Sequence, residues 1–331
     1  IYKVNAKEDQ DEKVLEKIAV SRKPLSGEEL AAQLGVSRNA VWKSVNLLRK
    51  SGYKINAAQN RGYMLAPDNV KLCAAQFNSR LNGCNAIVFD RVDSTNAILK
   101  EMAEQSAPEG LVAAALSQTA GRGRLGRSFC SPDGGIYFSI LLRPEFAPEL
   151  TMLATAAAAV AVCRALENNG SGHCMIKWVN DVYINGKKVC GILTEGAFDA
   201  ETAGLRYAVV GIGINLTEPQ GGFPPEIADR AAAVFGEKRL GSEQTARITA
   251  DVVNIFMDFY RSLEKKEFME EYRARSWLNG KTVTYSRNGV SESGVVREID
   301  GDARLIIESG GEITALSAGE VTITCAKGGF K

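Results

Sequence analysis

Three arginines and three glycines occupy residues 121–127, in the sequence Gly-Arg-Gly-Arg-Leu-Gly-Arg. Glycine lets the backbone approach a ligand closely and adopt conformations that other residues avoid. The planar, permanently charged guanidinium of arginine matches the geometry of carboxylates and phosphates. The segment therefore predicts a loop that closes over an anion with several phosphates, or with a phosphate and a carboxylate. Taken alone, it is equally compatible with a flexible basic surface loop.

Polar or charged residues also stand beside apolar strand-like runs at four further places. Residues 93–96, Asp-Ser-Thr-Asn, precede a helical pattern, where they can cap the helix or face a polar ligand. Gln118 ends an apolar run just before the arginine-rich segment. Residues 177–181, Lys-Trp-Val-Asn-Asp, place a cation, an aromatic ring, an amide and a carboxylate together, and residues 187–191 add two lysines and a glycine.

The apolar run at residues 210–216 carries Gly211 and Gly213 on one face and ends with Asn215 and Leu216. Glycines on one face of a strand leave room for a ligand or another chain segment against the sheet. We expect them to accommodate a flat or apolar ligand. A dinucleotide-binding fingerprint is excluded, because no third glycine opens a helix after this run.

The first 66 residues predict a winged helix-turn-helix. Ser26 and Glu29 form a capping box for a helix over residues 27–34, and a second helix follows over residues 38–50. Two short strands, residues 53–55 and 63–65, complete the wing. Residues 37–66 contain six basic residues and no acidic one, which favours binding to nucleic-acid phosphates. A small helical domain without a ligand is the alternative.

The rest of the chain predicts two further domains, giving boundaries at residues 1–66, 67–275 and 276–331, with residues 67–69 as a linker. Seven strand-like runs and three helical ones indicate a central mixed α/β sheet that is largely antiparallel. The strands are expected at residues 86–90, 111–118, 136–142, 175–178, 182–184, 191–195 and 208–214, and the helices at 96–104, 150–167 and 242–265. Short β-rich runs between glycine and aspartate turns beyond residue 276 predict an SH3-like five-stranded barrel. The overall fold class is α+β.

Composition excludes several classes of protein. The seven cysteines are odd in number and form no CxxC pair, so disulfide and metal frameworks are not expected. We expect buried, reduced thiols in a cytoplasmic protein. The single histidine, His173, has no partner that predicts catalysis. No apolar run reaches the length needed to span a membrane, and the polar first ten residues do not resemble a signal peptide.

Four of these segments occur together, in the same order and spacing, in biotin–protein ligases. They are GRGRLGR, KWVND, KKVCGILTE and VVGIGINL. With the winged helix in front, the chain resembles the bifunctional members of that family, which also repress the biotin operon. The resemblance covers nearly the whole length. It implies a ligase that uses ATP and Mg²⁺ to form biotinyl-5′-AMP and then biotinylates a lysine of a biotin carboxyl carrier protein. It also implies binding to operator DNA and a ligand-linked homodimer.

The same resemblance implies roles for individual residues. Catalytic roles fall on Lys188, Arg122, Arg124 and Asp181, with Asp181 as the candidate Mg²⁺ ligand. Biotin binding falls on Ser94, Thr95, Asn96, Gln118, Arg122, Gly123, Arg124, Lys188, Gly191, Gly211 and Gly213. ATP binding falls on Arg124, Arg127, Phe129, Asn180, Lys188 and Asn215. Position on the second helix and the wing, and not the resemblance, predicts DNA binding by Arg38, Asn39, Lys43 and Arg61, with phosphate contacts from Arg49, Lys50 and Lys54.

Three residues depart from the family pattern. Leu125 replaces a frequent arginine, Val179 replaces a proline, and Phe129 stands where relatives carry a tryptophan that stacks on adenine. Lys187 competes with Lys188 for the role of essential lysine, but the family places that lysine three residues before the glycine, here Gly191. A lipoate-type ligase and a non-catalytic, ligand-sensing transcription factor are the alternative functions.

Overall fold

A computed structural model describes residues 6–58, 62–144, 150–198, 204–287, 290–317 and 321–323 of the 331-residue chain. Three β-sheets organise the described part. A two-stranded sheet belongs to the N-terminal helical unit, a seven-stranded mixed sheet forms the centre, and a five-stranded antiparallel sheet lies at the C-terminal end. The α+β class and the order of the three parts confirm the prediction from sequence.

The N-terminal unit is a helix-turn-helix followed by a hairpin. Its elements are α1 (Ala6–Val20), α2 (Gly27–Leu34), α3 (Arg38–Lys50), β1 (Ile55–Ala58) and β2 (Gly62–Leu65). The Ser26 hydroxyl accepts from the Glu29 N–H while the Glu29 carboxylate accepts from the Ser26 N–H, as the capping box predicts. Val14, Leu30 and Val45 are fully buried between the helices.

The first wing strand begins at Ile55, two residues later than expected. The Tyr53 N–H donates to the Leu48 carbonyl at the end of α3, and the Lys54 N–H donates to Asn69 Oδ1. Because both backbone donors are already used, the ladder with β2 starts only at Ile55, and the strand is displaced to Ile55–Ala58.

The central sheet has the order β3-β4-β5-β9-β8-β7-β6. Its strands are β3 (Asn85–Val92), β4 (Leu111–Gln118), β5 (Ile136–Leu142), β6 (Met175–Lys177), β7 (Asp181–Ile184), β8 (Lys187–Phe198) and β9 (Leu205–Ile214). Only the β3–β4 pair is parallel, and the other pairs of this sheet are antiparallel. The predicted mixed sheet, largely antiparallel, is therefore confirmed.

Helices cover both faces of this sheet. The helices are α4 (Ala74–Asn78), α5 (Thr95–Glu104), α6 (Thr151–Asn168), α7 (Ser242–Arg261) and α8 (Met269–Ala274). Helices α6 and α7 share one large hydrophobic core with the sheet, whereas α5 packs on the opposite face around Leu99 and Leu141. Both faces of β5 are consequently buried along its whole length. The short helices α4 and α8 were not predicted, and α7 ends at Arg261, with a 3₁₀ turn over Leu263–Lys265.

The C-terminal sheet contains β10 (Thr282–Arg287), β11 (Val290–Ile299), β12 (Leu305–Ser309), β13 (Glu312–Leu316) and β14 (Val321–Ile323). Its order is β13-β12-β11-β10-β14, with every neighbouring pair antiparallel. The five strands are consistent with the expected SH3-like tail. No pair of described residues joins the edge strands β13 and β14, so a closed barrel is not observed within this part.

The expected linker at residues 67–69 is instead a packed junction. Asn69 is 1% exposed; its side chain accepts from the Lys54 N–H and donates to Ser242 Oγ at the start of α7. Lys71 Nζ donates to the Ser51 carbonyl and lies 2.7 Å from Asp90 Oδ2 on β3. The N-terminal unit is thus tied to the central sheet by buried and charged contacts.

The cysteines only partly follow the expectation. Five of the six described cysteines are buried and unpaired, but Cys130 is exposed beside the arginine-rich loop. Within the described ranges, no three His, Cys, Asp or Glu residues come together as a metal-binding group. None of the helices described combines the length and the apolar character required to cross a membrane.

Candidate active site

A cavity of about 370 Å³ opens on the central sheet between the arginine-rich loop, the start of α5, the β6–β7 turn and the C-terminal sheet. Six cationic side chains lie in its wall, against a single carboxylate, among the described residues. The cations are Arg122, Arg124, Arg127, Lys177, Lys188 and Arg230, and the carboxylate is Asp181. Such an excess of positive charge in a concave site attracts a ligand with several negative charges.

The arginine-rich loop forms a narrow hairpin over one side of the cavity. The Gly123 N–H donates to the Arg127 carbonyl at 2.7 Å, and the Phe129 N–H donates to the Gly121 carbonyl at 2.8 Å. A Cβ on Gly121 would lie 2.3 Å from the Phe129 carbonyl oxygen, so this position requires glycine. At the tip, Leu125 has φ 55° and is 71% exposed. The backbone thereby directs Arg122, Arg124 and Arg127 to the cavity.

Lys188 and Asp181 form an ion pair inside the cavity. Lys188 Nζ lies 2.6 Å from Asp181 Oδ1, and both side chains are 30% exposed or less. Side chains alternate between the two faces of a strand. Lys188 therefore faces the cavity whereas Lys187 is exposed and does not line it. The geometry favours Lys188 over the competing Lys187.

Phe129 covers the centre of the sheet floor. Its ring lies 5.6 Å from Lys188 Nζ, and a Cβ on Gly191 or Gly213 would come within 2.7 or 2.4 Å of the ring. At Gly211, a Cβ would meet Asn96 Oδ1 at 2.1 Å. The glycines expected to make room for a ligand thus make room for the Phe129 ring and the Asn96 amide in this structure.

The other end of the cavity is uncharged and polar, around the start of α5. Ser94 caps the helix by accepting from the Ala97 N–H. Gln118 Oε1 accepts from the Thr95 N–H at 2.9 Å, and Gln118 Nε2 donates to Ser131 Oγ at 3.1 Å. This end can therefore recognise a neutral polar group, while the arginines and Lys188 recognise an anion.

Behind this wall, Glu195 on β8 receives hydrogen bonds from Lys100 and Asn96 at 2.7 and 2.8 Å. Burial by itself raises the pKa of Glu195, but these hydrogen bonds and the Lys100 charge outweigh it, so its pKa lies below the ordinary value. Glu195 is consequently an ionised, acceptor-only group behind the cavity.

Most residues predicted from the sequence come together here. Those lining the cavity are Ser94, Thr95, Asn96, Gln118, Arg122, Gly123, Arg124, Arg127, Phe129, Asn180, Asp181, Lys188, Gly191, Gly211 and Gly213. Asn215 does not line it: its Nδ2 donates to the Ala232 carbonyl at 3.3 Å.

Several lining residues were given no site role from the sequence, among them Trp178, Arg230, Val321 and Thr322. Arg230 reaches the site because the Lys188 N–H donates to its carbonyl and the Ala232 N–H donates to the Lys188 carbonyl, which ties this loop to β8. Val321 and Thr322 belong to the C-terminal sheet. Nothing local in the sequence signals either placement.

The predicted DNA-contacting residues Arg38, Asn39 and Lys43 are all exposed on α3, and Arg61 lies outside the described residues. Two of the expected phosphate contacts are engaged elsewhere. The Arg49 guanidinium donates to the Ile55 carbonyl from Nε and Nη2, and Lys54 Nζ lies 2.6 Å from Asp68 Oδ2.

Residues 88–215 match the Biotin/lipoate A/B protein ligase family, and residues 11–64 match the HTH domain family. The chain is 40% identical to the bifunctional ligase/repressor BirA of Bacillus subtilis over 222 residues, covering 65% of this chain and 68% of that protein. It is 25% identical to the bifunctional ligase/repressor BirA of Escherichia coli over 306 residues, covering 91% and 94%. The solved biotin protein ligase from Aquifex aeolicus, in complex with biotin and ATP, superposes with a TM-score of 0.62 at 28% identity, covering 73% and 99%.

Proposed function

Because this chain belongs to the biotin–protein ligase family, we propose that it forms biotinyl-5′-AMP from biotin and ATP and then transfers biotin to a lysine of a biotin carboxyl carrier protein. The observation that carries the proposal is the division of the cavity. Lys188 lies over Gly191 with its partner Asp181, whereas Asn96 lies over Gly211 and the neighbouring Thr95 contacts Gln118. Biotin and ATP together fit that division. Biotin has a neutral, polar ring at one end and a carboxylate at the other, and that carboxylate must lie beside the triphosphate of ATP.

In the first step, a biotin carboxylate oxygen attacks the α-phosphorus of ATP and pyrophosphate leaves. Negative charge accumulates on the oxygens around that phosphorus. Lys188 and the loop arginines Arg122 and Arg124 are fixed cations that stabilise this charge and hold the two anions together. Arg127 and Arg230 extend the positive wall toward the remaining phosphates.

In the second step, the carrier lysine amine attacks the acyl carbon of biotinyl-AMP, and AMP leaves as the bond to the α-phosphate oxygen breaks. The same cations stabilise the departing AMP oxygen. The Phe129 ring and Asn180 are assigned to the nucleotide side, and the Ser94, Thr95, Asn96 and Gln118 group to the biotin ring. The nucleotide role proposed for Asn215 requires its side chain to release the Ala232 carbonyl and to bind the nucleotide instead.

Mg²⁺ fits this site as an ion that arrives with the nucleotide. Asp181 is the one carboxylate among the described lining residues, and Mg²⁺ commonly binds through one or two carboxylates together with substrate phosphates and waters. The ion would supply charge neutralisation on the phosphates, and Asp181 would hold it.

We further propose that the N-terminal unit binds operator DNA, so that the chain represses transcription in response to biotin. The exposed, basic face of α3 supports this, as does the match to the helix-turn-helix family. Residues 1–66, 67–275 and 276–331 are the proposed DNA-binding, catalytic and C-terminal domains.

Pyrophosphate release tests the ligase proposal against its alternatives. Biotin should support release in the presence of ATP and Mg²⁺, and lipoate should not. Release with lipoate alone would indicate a lipoate-type ligase. Release with neither, from a folded protein that binds biotin, would indicate a non-catalytic sensor.

A further inference from the structure

A continuous chain of hydrogen bonds links a partly exposed ion pair to the polar end of the cavity. Lys100 Nζ lies 2.7 Å from Glu195 Oε1, and Asn96 Nδ2 donates to Glu195 Oε2 at 2.8 Å. Ser139 Oγ donates to Asn96 Oδ1 at 2.6 Å, and Thr95 Oγ1 lies 2.7 Å from Ser139 Oγ. Thr95 lines the cavity, whereas Ser139 is fully buried.

The direction of this chain follows from counting hydrogens. A carboxylate only accepts, so Glu195 faces the Asn96 NH₂ group and leaves Asn96 Oδ1 turned toward Ser139. The carbonyl oxygen of Asn96 also only accepts, so the single hydroxyl hydrogen of Ser139 must be donated to it. The short contact between Thr95 and Ser139 then needs the hydrogen of Thr95.

The remaining contact of Thr95 is longer. Thr95 Oγ1 lies 3.2 Å from Gln118 Oε1, and that oxygen already accepts from the Thr95 N–H at 2.9 Å. With its only hydrogen directed inward to Ser139, the Thr95 hydroxyl offers lone pairs to the cavity. The cavity therefore presents an acceptor, and the matching ligand group is an N–H donor.

We propose that Glu195 is a positioning residue: acting through Asn96 and Ser139, it makes Thr95 a hydrogen-bond acceptor and so selects an acyl substrate that carries an N–H group at this end. The inference rests on the proposed function and refines it. The ureido ring of biotin carries such N–H groups, whereas the dithiolane ring of lipoate carries none. Glu195 itself does not line the cavity.

Replacing Glu195 by glutamine should reverse the direction of the hydrogen bonds that lead from residue 195 through Asn96 and Ser139 to Thr95. The shapes of the side chains stay nearly the same. The Lys100 ammonium only donates, so it pairs with the oxygen of the introduced glutamine amide. The NH₂ group of that amide then faces Asn96. Asn96 must then turn its oxygen to the introduced glutamine and its NH₂ group to Ser139, which gives up the 3.4 Å contact of its Nδ2 with the Leu193 carbonyl. The Ser139 hydrogen moves to Thr95 and occupies one of its two lone pairs. This frees the Thr95 hydrogen to turn toward the cavity, so Thr95 presents a donor where the wild-type hydroxyl presents only lone pairs.

Biotin affinity and steady-state kinetics of the full chain test this inference. In Glu195→Gln, the Kd and KM for biotin should rise about 10- to 100-fold, the range for an unmatched polar group at a buried site. Desthiobiotin, which keeps the ureido N–H groups, should lose affinity in parallel. The kcat at saturating biotin and the KM for ATP should change much less, because no cation of the wall is replaced and Arg122 loses only the opposite charge of Glu195.

The double variant Glu195→Gln/Lys100→Met tests whether the direction of the hydrogen bonds, and not the packing around residue 195, determines the affinity for biotin. Without Lys100, the oxygen of the introduced glutamine can face Asn96 again, so most of the lost biotin affinity should return. Glu104→Gln is the matched control, because Glu104 also joins α5 to the sheet, through Arg206 and Tyr207, but lies outside the chain of hydrogen bonds. It should bind biotin like wild type.

Each result decides a separate question. A wild-type protein that does not bind biotin defeats the proposed function itself. Wild-type affinity in Glu195→Gln, or equal impairment of the single and double variants, overturns the positioning role while leaving the ligase assignment intact. If Glu195→Gln does not fold, Ser139→Ala decides: it should show the same selective rise in the Kd for biotin, and an unchanged Kd overturns the inference.

Discussion

Lys188 Nζ and Asp181 Oδ1 are 2.6 Å apart across the neighbouring strands β7 and β8, with both side chains facing one cavity. The pair keeps the ammonium directed at the region where the loop arginines converge. Asp181 is the one carboxylate among the described residues that line the cavity. Under the proposed function, a bound phosphate would compete with Asp181 for Lys188.

Lys188→Ala should nearly abolish formation of biotinyl-AMP. The ammonium is placed to stabilise charge that develops only as the acyl–phosphate bond forms, and interactions of that kind act on the rate of the step. Removing a comparable charge-stabilising group costs about 100- to 1,000-fold in kcat. Pyrophosphate release at saturating biotin and ATP measures the loss.

Two variants control for indirect effects of this change. Lys187→Ala removes the exposed neighbour and should retain wild-type adenylation. Lys188→Ala/Asp181→Asn removes the carboxylate that would otherwise be left without its cation, and because Asp181 is also the proposed Mg²⁺ ligand, this variant should be no more active than Lys188→Ala. Wild-type rates in a folded Lys188→Ala protein would reject the assignment and make Lys187 the candidate.

Arg124→Gly should still permit some adenylation but hold biotinyl-AMP poorly. Arg124 Nη1 donates to Asn180 Oδ1 at 3.2 Å, so it joins the loop to the β6–β7 turn across the cavity. A hydrogen bond to a charged group contributes about 1.5–3 kcal/mol, which corresponds to roughly 10- to 150-fold faster dissociation. Release of labelled biotinyl-AMP is the measurement. Leu125→Gly, at the exposed loop tip, is the control, and equal release from both variants would contradict the prediction.

Glu167→Gln should destabilise the fold at neutral pH but not in strong acid. Glu167 accepts two hydrogen bonds from Arg275 and one from the Cys174 N–H, and the Arg275 bonds lower its pKa to about 2. A depressed carboxyl pKa contributes stability above its unfolded value, and that contribution is lost as pH falls toward the folded value. The free energy of unfolding should therefore drop by about 2–3 kcal/mol at pH 7.

Urea unfolding from pH 7 downward checks the sign of this effect. The difference between wild type and Glu167→Gln should shrink as pH falls from about 4.5 toward 2. The Glu104→Gln variant, which removes a more exposed pair, should change stability by less than about 1 kcal/mol. A pH-independent difference for Glu167→Gln would assign its effect to packing.

Sequence patterns predicted the parts of the site that depend on short segments. The capping box of α2 and the glycine-rich character of the arginine loop follow from neighbouring residues, whereas β8 begins at Lys187, four residues before the predicted start. Contacts between side chains that are far apart in the sequence gave no such signal. Asn96 and Glu195 are 99 positions apart, and Arg230 reaches the cavity only because its loop pairs with Lys188.

The errors in element boundaries have the same physical origin. The backbone N–H of Lys54 donates to Asn69, so the first wing strand begins later, at Ile55. Strand β8 continues to Phe198 because β9 pairs with it from Cys190 to Phe198. Hydrogen-bond partners that are distant in sequence decide where an element ends, and a local pattern does not contain them.

Biotin and ATP together should shift the chain from monomer to dimer. Ordering of the arginine-rich loop over the adenylate would favour side-by-side pairing of two central sheets, and β3 is an edge strand whose outer side pairs with no described strand. Sedimentation velocity with and without both ligands measures the shift. Lys188→Ala is the control, because it should not form the adenylate and should stay monomeric. Ligand-independent sedimentation at every concentration would contradict the prediction.

DNA binding should depend on the exposed basic face of α3. Arg38, Lys43 and Lys50 are exposed there, whereas Arg49 is held by the Ile55 carbonyl. Replacing Lys43 or Lys50 by alanine should weaken operator binding, and the removal of each cation that neutralises a phosphate should lower the log–log salt slope by about 0.9. Binding measured over a range of salt concentrations gives that slope. Arg49→Ala should act differently, by loosening the wing strand β1.

Deletion of residues 1–66 should abolish operator binding and affect ligase chemistry far less, because every proposed catalytic residue lies beyond Asp93. The deletion removes the packing partners of Cys73, which is buried in the core of the N-terminal unit, so the truncated protein must first be shown to be folded by circular dichroism. Footprinting and biotin transfer are then measured on the same preparation. Retained specific footprinting would overturn the winged-helix assignment. Complete loss of adenylation in a folded truncation would show that the contacts of Asn69 and Lys71 make the catalytic site depend on the DNA-binding unit.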